Sequence, residues 1–162
     1  MAQVETTIDS IRVGAFSPER TIILREKGPE NYLPLWVNPS QADILADQLQ
    51  GRPDKSVDPD LFLANINAAD SDIKGVTIHL ENNTFCTKLL LSCHDEPYEV
   101  RCPIGIALTL ACRVEAPILV DEALFDKAGV RFTLVHVNRT ENRPGGNDCF
   151  RVTNQTPYRA AK

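Results

Sequence analysis

Residues 76–85 read Val-Thr-Ile-His-Leu-Glu-Asn-Asn-Thr-Phe, and this stretch decides the fold class. Val76, Ile78 and Leu80 alternate with Thr77 and His79, the period of a strand with one buried face. Asn82-Asn83 follows, a pair that tolerates positive φ and so predicts a tight hairpin turn. Phe85 to Leu91 carries the chain back, and Tyr98 to Arg101 reads as a third run after His94-Asp95-Glu96-Pro97. The same pattern recurs upstream. Ile11, Val13 and Ala15 alternate with Arg12 and Gly14, Ser17-Pro18-Glu19 turns, and Thr21 to Leu24 resumes the strand. Tyr32 to Val37 is a further strand. Pro34 has no N–H for a ladder, so this strand is expected at an edge or with an irregular start.

Helices punctuate these strands. Asn38 suits an N-cap, Pro39 the first helical position, and Gln41 lies three residues beyond Asn38, as in a capping box. Ile44, Leu45, Gln48 and Leu49 keep helical spacing up to Gly51. Asp58-Pro59 starts a second helix with Leu61, Phe62, Ile66 and Ala69 on its buried side. Pro103 opens a third helix, Gly105 to Val114, apolar enough to be buried on most sides. Pro117 to Val120 is extended, Asp121 is placed to cap a fourth helix ending at Gly129, and Val130 to Val137 forms a last strand. Strands, two helices, strands, a helix and a strand make an α+β domain. A mostly antiparallel sheet with three to four helices fits this order better than a doubly wound parallel sheet. Residues 1–8 read as a frayed N-terminal extension and 9–138 as the domain. Residues 139–162, polar and broken by Pro144-Gly145-Gly146, read as a mostly disordered basic tail.

Composition bounds the function. The chain has 162 residues, 43% apolar and 24% charged, which suits one globular domain and excludes a wholly disordered chain. No apolar run approaches the ~18 residues of a membrane span, so no membrane partner is expected. The net charge is -5. Five basic residues against two acids make 139–162 a +3 segment, leaving -8 on residues 1–138. An acidic body opposes non-specific nucleic-acid binding, which depends on basic residues against phosphates. The N-terminus Met-Ala-Gln-Val-Glu-Thr-Thr lacks the basic start and apolar core of a signal peptide, so a cytoplasmic location is expected. Cys86, Cys93, Cys102, Cys112 and Cys149 are odd in number and form no CxxC spacing. They read as free thiols, without the ligand pairs of a structural zinc site. Cys93 adjoins His94, but neighbours within a strand face opposite ways, so a Cys/His dyad is not expected there.

Four segments resemble the bifunctional nuclease domain family. Leu33-Pro34-Leu35-Trp36-Val37 with Gln41-Ala42-Asp43 resembles that family's "LPIWIG…EA" start, and Arg52-Pro53 with Asp60-Leu61 its "RP…HDLL" stretch. Val76 to Phe85 resembles its "V.I..L.DNTFYA" hairpin. Ala107 to Ala111, with Arg113 and Ala116-Pro117-Ile118, resembles its "AIALALR..API" helix and strand. The resemblance runs in register from about Asp9 to Val137. It implies an α+β fold with a rolled antiparallel sheet, cleavage of DNA and RNA, and a homo-oligomer (a dimer or higher). The departures are specific. Where the family carries "DARPSDAIAL", this chain has Arg101 and Ile106 in place of the two acids and Gly105 in place of the serine. Gln41 replaces a glutamate and Pro59 a histidine.

Two functional readings follow: a nuclease with a weakened or relocated site, or a fold reused as a non-catalytic homo-oligomeric binding and assembly module. Phosphodiester hydrolysis needs an activated water and neutralised phosphate charge, commonly through a divalent metal on carboxylates. Residues 41–72 hold seven aspartates against Arg52 and Lys55, a net -5. Within them Asp58 and Asp60 are candidates for holding Mg²⁺ or Mn²⁺, with Asp60 also catalytic and Arg52 on phosphate. The competing reading makes Asp58 a helix cap and Asp60 a first-turn acid favoured by the helix dipole. Gln41 is either a catalytic-site remnant that hydrogen-bonds substrate or the capping-box partner of Asn38. His79 is either a general base or a polar residue on a strand's solvent face. Arg101 is either a phosphate contact or a salt-bridge partner of Glu81 or Glu99.

Overall fold

The structure is a computed structural model. It describes residues 2–14, 18–28, 30–52, 57–131 and 158–159. Thirteen elements follow in order: β1 (Gln3–Val13), β2 (Arg20–Glu26), β3 (Asn31–Val37), α1 (Pro39–Leu49), α2 (Pro59–Asn65), β4 (Ser71–Glu81), β5 (Thr84–Cys93), β6 (Glu96–Arg101), α3 (Ile104–Arg113), β7 (Ile118–Asp121), α4 (Glu122–Ala128), β8 (Val130–Arg131) and β9 (Tyr158–Arg159). The strands form one mixed sheet in the order β6-β5-β4-β7-β1-β2-β3-β8, with β9 also on β3. The β4–β7 and β3–β9 pairs are parallel and the others antiparallel. This is the α+β class that the order of elements predicts.

The sheet is rolled but not closed. β9 sits beside β3 yet also lies against β5, six strand positions away along the sheet. On a flat sheet that would be ~29 Å at the usual strand spacing. Pro34 falls between the short partners β8 and β9 on the outer side of β3, where a missing N–H breaks no ladder.

The hairpin that opened the reading is present. Asn82 and Asn83 have φ of 50° and 61°, and His79 stands opposite Cys86. Val76, Ile78, Leu89 and Leu91 are fully or almost fully buried, and they share one core with Ala107, Leu108, Leu110 and Ala111 of α3. Each such aliphatic side chain contributes about 1.5–3 kcal/mol through burial.

Three details differ from the sequence expectation. The first strand begins at Gln3, not Asp9, because residues 3–6 pair with β7 and the buried Thr6 hydroxyl donates to the Ile118 carbonyl at 3.2 Å. The β5–β6 turn is only His94-Asp95, both at positive φ, so β6 already starts at Glu96. Asp121 makes no side-chain cap to α4, since its backbone is the last rung of β7 against Gln3. Of the expected strand 130–137 only β8 is described, and of the basic tail only Tyr158–Arg159; the rest lies outside the described residues. Tyr158–Arg159 had no apolar alternation to mark it, because its pairing comes from the free side of β3.

Candidate functional site

The polar candidates separate into three places, and the packing of α1 on α3 explains why. These helices run side by side in the same direction. Near their starts the Gly105 amide donates to Gln41 Oε1 at 2.9 Å, and near their ends Arg113 Nε donates to Gln48 Oε1 at 2.8 Å. Asn38 caps α1 as expected, its Oδ1 accepting from the Gln41 amide at 3.0 Å. The Gln41 side chain does not complete the box. It turns to α3 instead, where Pro103 occupies the cap position with no side-chain acceptor of its own. Gln41 therefore serves as the missing cap of α3. The helices also touch most closely here: a Cβ on Gly105 would lie 2.1 Å from the Gln41 carbonyl oxygen. Two positions that resemble a polar family motif thus form a helix–helix contact.

Arg52, Asp58 and Asp60 lie near the other end of this helix pair, roughly 15 Å along α1 from Gln41 at 1.5 Å per residue. Arg52 Nη2 donates to Gln50 Oε1. Asp58 caps α2, with Oδ1 accepting from the Asp60 and Leu61 amides at 3.0 and 3.2 Å. Asp60 is the exposed acid in the first turn of α2. One oxygen of Asp58 is thus already engaged, and no third metal-ligating side chain joins these two acids among the described residues.

The third place is the face of β4, β5 and β6 opposite the buried one. Alternation sends Val76 and Ile78 into the core and His79 and Glu81 to the other side. Cys86 stands opposite His79, and Lys88 opposite Arg101. Ligand atoms of His79, Glu81 and Cys86 lie within 4.8 Å of one another. Arg101 Nη2 straddles the Glu81 carboxylate at 2.6 and 2.8 Å, so its salt-bridge partner is Glu81. Glu99 pairs with Lys88 at 2.9 Å, and this hydrogen bond holds the Lys88 ammonium pKa up. Burial pushes the Cys86 thiol up, opposed by Arg101 and reinforced by Glu81. His79 and Arg101 are the two sequence candidates that meet on one patch, with Glu81 between them. Glu81 and Cys86 went unnoticed as site residues because the signal lies across two strands. It needs the hairpin register before any spacing is visible.

A second grouping runs against the sequence expectation, which keeps Cys93 and His94 apart. Cys93 Sγ lies 3.2 Å from His94 Nδ1. The two residues meet because His94 has left the strand at φ 50°, so the opposite-face rule no longer applies. They stand at the turn beside a cleft of about 540 Å³ lined by Ala64, Asp70, Ser71, Cys93 and Tyr98 among others. Cys86, Cys93, Cys102 and Cys112 are free thiols. No helix among the described residues is long and apolar enough to cross a membrane.

A rolled, open α+β sheet with α1 packed on α3 and a polar patch on β4–β6 can now be set beside known proteins. The profile of the bifunctional nuclease domain matches residues 22–133. The chain belongs to the bifunctional nuclease domain family. It is also similar to two proteins of Mycobacterium tuberculosis, "Uncharacterized protein Rv1829" of strain H37Rv and "Uncharacterized protein MT1877" of strain CDC 1551 / Oshkosh. Each is 31% identical over 128 residues, covering 78% of this chain and 76% of the relative.

Proposed function

We propose that this chain cleaves phosphodiesters in nucleic acid at the β4–β6 patch. The observation that supports this is the meeting of His79 and Glu81 of β4 with Arg101 of β6, through Glu81 and across the intervening β5. Glu81 fixes one guanidinium nitrogen of Arg101, leaving the Nε and Nη1 N–H groups to take a phosphate oxygen. His79 is the nitrogen base of the site. A water attacks phosphorus, its proton passes to the imidazole, the P–O bond breaks, and the leaving oxygen takes a proton from solvent. The -8 body makes the substrate encounter slow and salt-sensitive, so a low turnover is expected. Cleavage of single-stranded RNA and plasmid DNA in Mg²⁺, Mn²⁺ or EDTA tests this. His79→Ala and Arg101→Ala are expected to lower the rate at least tenfold; undiminished cleavage in both variants would refute the site.

A second reading is favoured by the Gln41–Gly105 contact. There the polar positions of the family motif have become helix packing, which fits a non-catalytic homo-oligomeric module on the same fold. A stable dimer or larger assembly in light scattering, together with inert DNA and RNA in every metal condition, would select it.

A further inference from the structure

We infer that His79, Glu81 and Cys86 form a three-ligand site for a divalent ion of the Zn²⁺ class. The inference rests on the placement of His79 and Glu81 used in the proposed cleavage site. One imidazole nitrogen, one carboxylate oxygen and one sulfur make a mixed N, O, S donor set. That set favours a borderline ion over Mg²⁺ or Ca²⁺, which take oxygen ligands. The geometry is close to what such an ion needs. Donors bound at ~2.0–2.3 Å in a tetrahedron stand ~3.5 Å apart. Here the donor atoms already lie within 4.8 Å of one another, so each must move by at most about 0.8 Å, within reach of side-chain rotation. The backbone supports this closure. His79 and Cys86 are a directly opposed cross-strand pair, and Glu81 is two residues along the same strand on the same face.

Arg101 does not compete for the site. Its Nη2 donates one hydrogen bond to each Glu81 oxygen, and an ionised carboxylate offers about four acceptor positions. The guanidinium then plays the outer-shell part that orients a metal-bound carboxylate. Thiolate and carboxylate together balance the charge of a dication. Three protein ligands leave a fourth position for water or a phosphate oxygen. Occupancy takes up the imidazole lone pair, so the ion and the base role of His79 exclude one another.

Co²⁺ is the probe, titrated into the full chain after chelator treatment and removal of the chelator. The expected result is one Co²⁺ per chain, with an intense thiolate-to-cobalt charge-transfer band, tetrahedral visible bands, and displacement of both by Zn²⁺. Cys86→Ser is expected to lose the charge-transfer band and Cys93→Ser to keep it. His79→Ala is expected to weaken binding at least tenfold, and it serves as the deciding variant if Cys86→Ser fails to fold. Absence of the thiolate band in the wild-type chain would overturn the site, as would its persistence in Cys86→Ser or undiminished binding in His79→Ala. Cleavage separates this inference from the function it rests on. Cleavage without the cobalt spectrum removes the metal site and leaves the nuclease reading. The spectrum without cleavage does the reverse.

Discussion

Replacing Gly105 by alanine tests the α1–α3 contact, in which the Gln41 side chain caps the start of α3. Alanine is ordinarily better in a helix than glycine, by about 0.5–1 kcal/mol. Here the added methyl would sit 2.1 Å from the Gln41 carbonyl oxygen, 2.7 Å from its carbon and 2.8 Å from its Cα. These are backbone atoms of α1, so no side chain can swing away and the helices must part. Overpacking of this kind costs about 1–3 kcal/mol, at the upper end where backbone must move. Parting also stretches the 2.9 Å bond from the Gly105 amide to Gln41 Oε1, a loss of about 1 kcal/mol. The net expectation is a destabilisation of about 2–3 kcal/mol, or a fall in Tm of roughly 4–12 °C for a chain of this size. Urea unfolding followed by circular dichroism measures it. Gln41→Ala alone should cost about 1 kcal/mol. The double variant should be less destabilised than the sum of the two, by about that amount, because the cap is already gone. A Gly105→Ala chain as stable as the parent, or more so, would show that intrinsic helix propensity dominates and that α1 and α3 do not meet at this point.

Three further outcomes follow from particular side chains. Thr87 Oγ1 is buried and has no hydrogen-bond partner among the described residues, so Thr87→Val should raise stability by about 1 kcal/mol in the same unfolding assay. Asp58→Ala removes the α2 cap and should cost about 1 kcal/mol, while Asp60→Asn should change stability little; both should leave the nuclease rate intact if the patch on β4–β6 is the site. Burial raises the Cys102 pKa to about 12 from 9.0, so the unfolded chain loses this proton first as pH rises. The thiol's contribution is fully present below pH 9 and falls by roughly 1.4 kcal/mol per unit between 9 and 12. Cys102→Ala should flatten that part of the stability profile, and alkylation of Cys102 at pH 8 should require unfolding.

The architecture was legible because the strands alternate cleanly and the turns carry residues suited to positive φ. Asn82-Asn83, Asn38-Pro39 and Asp58-Pro59 each mark a boundary that the structure keeps. Elements held by distant partners were less visible. Residues 3–8 are polar enough to read as a loose end, and they become strand because β7 lies beside them. The same limit applies to the site. Single residues such as His79 and Arg101 could be nominated from the sequence, but Glu81 and Cys86 acquire meaning only once β4 and β5 are in register. Gln41 shows the converse. Its spacing from Asn38 suits a capping box, yet a neighbouring helix start without a side-chain acceptor competes successfully for its carbonyl oxygen. Cys93 and His94 meet for a third reason, since a turn at positive φ cancels the alternation that would have kept them apart.

The central claim is that the polar patch on β4–β6, and not the acids of α2, carries phosphodiester chemistry. A single cleavage series on fluorescent single-stranded RNA tests it most directly, comparing the parent chain with His79→Ala, Arg101→Ala and Asp58→Asn/Asp60→Asn. The account predicts at least a tenfold loss in the first two variants and parental rates in the third. Parental rates in His79→Ala and Arg101→Ala with loss in the aspartate variant would contradict it.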